Sequence, residues 1–270
     1  MTVTSKGEVT MLARVDEQKL LASLLGTLIA LAWLVLWAWG RSPYARFLDH
    51  GELEGISLPG DTFFFLVFVA GWTLMTVAMM LPATLPLVRL FHALTRRRED
   101  RRSLVALLIV GYLGAWTLFG VVAHFGDWVL HQALERSVVL ESNPWVIGSG
   151  LFIVAGIFQF TPLKYYCLDK CRSPLSFIMG HWGGRNEKRQ ALWLGVHHGL
   201  FCIGCCWALM MLMFAVGVAN LGWMLVLGTI MAIEKNMSWG KRMSAPVGVL
   251  LIAGGLILAL AGAPLSTMIF

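Results

Sequence analysis

Apolar residues in this chain arrive in blocks of about 20, parted by short polar segments, a length that crosses a bilayer as an α-helix. The blocks do not alternate apolar with polar, so membrane barrel strands are excluded. Seven segments fit the pattern: 20–39, 62–82, 103–123, 146–163, 191–216, 220–234 and 245–266. They predict an all-α fold, a polytopic transmembrane helix bundle of about seven spans, or six if the short sixth segment does not cross. Residues 1–18 read as a polar cytoplasmic tail and 19–270 as a single integral membrane domain. The first block is too long for a signal peptide and has no small-residue cleavage site, so it reads as an anchor. Pro82 and Pro86 are expected to end and kink the second span. Residues 217–222 read as a tight turn joining the fifth and sixth spans.

Composition agrees with this division. The chain is 58% hydrophobic and 13% charged, with mean hydropathy +0.73. That is too apolar for a soluble domain of its length. The net charge of +6 first suggests an anionic partner. Its distribution gives a topological reason instead. With the N-terminus inside, all but Arg41, Arg46 and Arg136 of the 21 basic residues fall on cytoplasmic segments. The positive-inside rule then predicts an N-in, C-out protein whose partner is the lipid bilayer. No nucleic-acid motif accompanies the charge, and several of the twelve tryptophans, such as Trp33, Trp37 and Trp223, suit an interfacial belt. The Arg96–Arg102 charge run reads as a cytoplasmic stop signal.

Candidate chemistry concentrates in the fifth span. His198, Cys202, Cys205 and Cys206 fall within an arc of about 100° on a helix. An imidazole in lipid needs a partner, and three thiols beside it make a soft-metal or thiol-redox face. Cys167 and Cys171 form a C-x3-C pair near Lys164, Lys170 and Arg172, where the fourth span is expected to leave the membrane. If helix continues there, the two thiols lie one turn apart. Met79 and Met80 add thioethers. Met79 should lie roughly 15 Å from Arg89 and His198 roughly 13 Å from Arg189, so the two spans match in depth. Thioether, thiolate and imidazole together suit Cu(I), with Zn(II) as the alternative. Packing competes at each position: methionine fills gaps, and Cys, Gly199 and Gly204 suit close helix contact. His197 reads as interfacial or structural, His124, Asp127 and His131 as a solvated helix end, and Glu234 beside Lys235 as an interfacial or snorkelling pair.

Some functions are excluded. There is no Walker A loop, no C-x-x-C-H haem attachment and no H-E-x-x-H zinc motif. Three segments together carry a resemblance: Met79-Met80-Leu81-Pro82, Thr161-Pro162-Leu163-Lys164 through Cys167 and Cys171-Arg172-Ser173-Pro174, and His198-Gly199-Leu200 through Cys202, Gly204, Cys205, Cys206 and Trp207. Over about residues 62–235 the chain resembles a bacterial family of unknown function described as predicted metal-binding integral membrane proteins.

Three expectations follow. The first is an inner-membrane protein binding copper for transport, delivery or homeostasis, supplied by a metal chaperone or a partner membrane subunit. The second is a membrane thiol-disulfide oxidoreductase. The third is an assembly subunit whose cysteines only pack. If spans two, four and five build one site, Cys202 should face span two or four. Cys167 and Cys171 should then lie against the nearer half of span five. Metal, direction and oligomeric state stay open.

Overall fold

The computed structural model describes residues 4–41, 62–134, 145–183, 186–216 and 220–262. Of the outside loop expected at 40–61, residues 42–61 lie outside the described residues, as do 217–219 of the turn at 217–222 and Arg46, Arg136 and Arg185. Nine α-helices are described: α1 Thr4–Gly40, α2 Thr62–Leu94, α3 Arg101–Leu134, α4 Trp145–Phe158, α5 Pro162–Arg172, α6 Pro174–His181, α7 Glu187–Val216, α8 Leu221–Asn236 and α9 Ser244–Ala261. A 3-10 turn, Gly240–Met243, joins the last two, and there is no strand among the described residues. The fold is all-α.

Among the described residues, five helices carry segments long and apolar enough to cross a membrane, in α1, α2, α3, α7 and α9. The fourth expected segment is a pair, α4 and α5, bent by 65°. The sixth, α8, has 16 residues. That is about 24 Å of helix, short of a bilayer core of about 30 Å.

Two expectations about helix ends are corrected. The second span does not stop near Pro82: α2 runs on to Leu94 with Pro82 and Pro86 inside it. Proline 82 cannot donate to the carbonyl of Ala78. The Trp33 indole on α1 donates to that carbonyl instead, at 3.2 Å. Neighbouring helices re-satisfy freed backbone groups in this way in apolar surroundings. The fourth segment does not run straight to 163. Pro162 breaks it, and the Phe158 carbonyl it leaves accepts from the Thr161 backbone at 3.0 Å and hydroxyl at 2.8 Å. Thr161 also caps α5.

α2 and α7 form the buried centre, and α1 lies outermost against α2. α3 and α7 pack most extensively. Gly111 and Gly195 let the backbones touch: a Cβ on Gly195 would sit 2.0 Å from the Leu108 carbonyl oxygen. α5 and α8 also pack against α7, and that position makes the site.

Candidate metal centre

The cysteine face of α7 points into the protein. Cys202, Cys205 and Cys206 are each 1% exposed or less, and His198 is 3% exposed. α5 lies across this face and carries the C-x3-C pair. Cys171 Sγ approaches Cys205 Sγ to 3.9 Å, and Cys205 Sγ lies 3.3 Å from Cys206 Sγ. The Cys205 thiol also points at the Cys202 carbonyl, at 3.2 Å. Cys167 sits over Gly204, where an added Cβ would come within 2.6 Å of its sulfur. Gly204 is therefore the gap that lets α5 reach α7.

Cys202 turns to other partners. Its sulfur lies 3.0 Å from the Tyr112 hydroxyl on α3 and 2.7 Å from Lys235 Nζ on α8. Tyr112 donates in turn to the Met80 carbonyl at 3.3 Å. The expected approach of α2 to Cys202 is thus made through a tyrosine and a backbone oxygen. Met79 and Met80 are buried, and Met79 packs against Gly228 of α8. The His198 ring lies beside Tyr112 and Phe177, and its buried Nδ1 has no hydrogen-bond partner among the described residues. Among the described residues, no three or more His, Cys, Asp or Glu side chains are set to hold a metal ion. What converges is sulfur in pairs.

A second polar cluster adjoins the first. Lys164, fully buried, reaches both carboxylate oxygens of Glu234 at 2.8 and 2.9 Å, and it also meets Gln159. Ser244 Oγ donates to Glu234 at 2.8 Å. Arg172 binds the carbonyls of Glu234 and Ser238. The interfacial reading of Glu234 and Lys235 is therefore corrected. Both are buried and face inward, because α5 brings a cation to the first and α7 a sulfur to the second. Lys164 is likewise no cytoplasmic surface charge. His124 is half-buried and stacks on Phe68 at 4.4 Å rather than standing in solvent.

Sequence reasoning missed Tyr112, placed Lys164 beside the C-x3-C pair without its buried carboxylate partner, and left Lys235 at the interface. The signal was there: a tyrosine inside an apolar block and two lysines at block ends. The positive-inside pattern absorbed both lysines.

Residues 69–258 match the family PpoB2, described as copper chaperone. The chain belongs to this copper chaperone family. The match takes in Met79, Met80, all five cysteines, His198 and Lys235. No curated protein and no solved structure matches the chain. A copper chaperone needs soft donors that exchange the ion readily, and a cluster of thiols beside an imidazole is such a donor set.

Proposed function

We propose that this copper chaperone is a bacterial inner-membrane, multi-pass protein that receives Cu(I) as cargo among the sulfurs of α5 and α7 and passes it on. The observation that carries the reading is the Cys171–Cys205 distance of 3.9 Å, with Cys206 3.3 Å further on. Two thiolates on one tetrahedral ion at about 2.3 Å each stand about 3.8 Å apart. The first ligands are then Cys171, Cys205 and Cys206. Cys167, Cys202, His198, Met79 and Met80 complete the proposed donor set, and each would have to move to reach the ion. Zn(II) is the alternative cargo.

Lys235 supports the same reading. A buried ammonium needs an anion, and Cys202 as thiolate supplies it. Once copper is held by several thiolates the cluster carries negative charge, and the same ammonium balances it.

Exposed aliphatic side chains support the bilayer as the surrounding medium. Leu24, Leu34, Leu250 and Leu260 are 59% exposed or more, and apolar area of that kind has no favourable contact in water. The single domain from 19 to 270 sits N-in, C-out on the charge argument. A metal chaperone or a membrane subunit is the partner.

The 3.9 Å approach also favours a second reading, a thiol oxidoreductase. The Cys171 and Cys205 thiols would join as a disulfide and pass two electrons and two protons to a quinone. Elemental analysis after purification under reducing, chelator-free conditions separates the readings. The copper reading predicts bound Cu that is lost in C202S/C205S. Metal-free protein with quinone-dependent thiol loss would select the other.

A further inference from the structure

The copper reading leaves His181 and His197 unused. The two imidazoles meet edge-on in the lining of one cleft, with ring centroids 5.1 Å apart. The cleft has a volume of about 390 Å³ and is also lined by Asn186, Arg189 and Trp193. His181 is exposed and His197 half-buried. His181 Nδ1 lies 2.9 Å from the Phe177 carbonyl oxygen. A carbonyl only accepts, so the proton sits on Nδ1 and the Nε2 lone pair is free. Backbone anchoring of one ring nitrogen is how a ligating histidine is oriented.

The pair stands one ring away from the buried cluster. Phe177 stacks on His181 at 4.5 Å and presents an edge-on contact to His198 at 5.4 Å. His197 and His198 are neighbours on α7, one facing the cleft and the other the interior, where its Nδ1 has no partner among the described residues.

The geometry points to His181 and His197 as a two-imidazole Cu(I) loading site, which receives the ion from an anionic thiolate carrier and yields it past Phe177 to His198 and the cysteines. This inference rests on the copper reading of the cluster. Arg189 in the cleft disfavours a bare cation and favours an ion that arrives between two thiolates, as an anion. The transfer is ligand exchange without redox. Two Cu–S bonds to the carrier break, two Cu–N bonds form, and the thiolates leave with the carrier. Imidazole is a harder donor than thiolate, so leaving the carrier is uphill for Cu(I) and entering the sulfur cluster is downhill, and the cluster draws the ion through the pair. The pair therefore sets the rate of loading and not the amount held.

The test uses the full chain in detergent with Cu(I) buffered by glutathione, following uptake with time. H181A/H197A is expected to load about tenfold more slowly, or slower still, and to reach the wild-type copper content, since the thiolate sink is intact. Loading at the wild-type rate would overturn the proposal, and so would a lower final content. X-ray absorption of a variant with all five cysteines changed to serine reads the cleft by itself. Cu(I) bound there by nitrogen, and lost when H181A/H197A is added, supports the pair even if the wild-type cluster proves empty. Absence of nitrogen-bound copper in that variant overturns the pair while leaving the sulfur cluster to be judged by its own copper content.

Discussion

Lys235 Nζ lies 2.7 Å from Cys202 Sγ, in the buried heart of the protein. A fixed cation therefore already stands against one thiol of the cluster. In the copper reading it favours the thiolate over the thiol at that sulfur, and it balances the charge of a copper–thiolate centre. Lys235→Met keeps the length and the packing but removes the charge. The cluster must then lose protons with no buried cation beside it, and Cu(I) affinity is expected to fall by about tenfold, the effect of losing one outer partner. Competition against a Cu(I) chelator at neutral pH measures this. Affinity equal to or above wild type would show that the lysine does not support the anionic cluster.

The Lys164–Glu234 pair predicts an asymmetry. Removing one partner leaves a buried charge alone, which costs about 3–5 kcal/mol. Lys164→Met and Glu234→Gln should each lower the melting temperature strongly in detergent. K164M/E234M removes both charges and should recover most of the loss. A double variant as unstable as the two losses added together would mean the pair is not the unit.

Gly204→Ala should push α5 off α7. The new Cβ would meet Cys167 Sγ at 2.6 Å, and overpacking of this kind costs about 1–3 kcal/mol. Copper content is expected to drop with it, since Cys171 moves with the helix. G204A/C167A removes the obstructing sulfur and should restore both stability and copper. If G204A alone matches wild type in both measurements, the α5–α7 contact is looser than the distances require.

The fold class was legible in block length, and the sulfur-bearing face of α7 in helical spacing. Pro162 after Thr161 was visible as residues, yet a proline in an apolar block does not say whether the helix bends or breaks. That depended on who satisfies the Phe158 carbonyl. The partners of Cys202 were not legible at all. Tyr112 and Lys235 lie 90 and 33 positions away, and only packing of α3 and α8 against α7 brings them in. Lys164 and Lys235 were hidden by their sign, because positive residues at block ends are what topology alone would place there.

Topology gives its own prediction. Leaving aside the buried Lys164 and Lys235, 16 of the 21 basic residues still fall on the segments assigned to the inside, and they require Gly183 to face the cytoplasm and Phe270 the opposite side. Reporter fusions at the two positions should give opposite signals. Equal signals would remove one crossing, and the 16-residue α8 is the first candidate.

The most direct test of the central claim is X-ray absorption at the copper edge on Cu(I)-loaded full-length protein, beside C171S/C205S. Shared ligation by α5 and α7 predicts a sulfur-dominated shell at about 2.3 Å, by analogy with zinc–thiolate bonds, and loss of that shell in the double variant. A shell without sulfur, or the same sulfur shell in C171S/C205S, would contradict it.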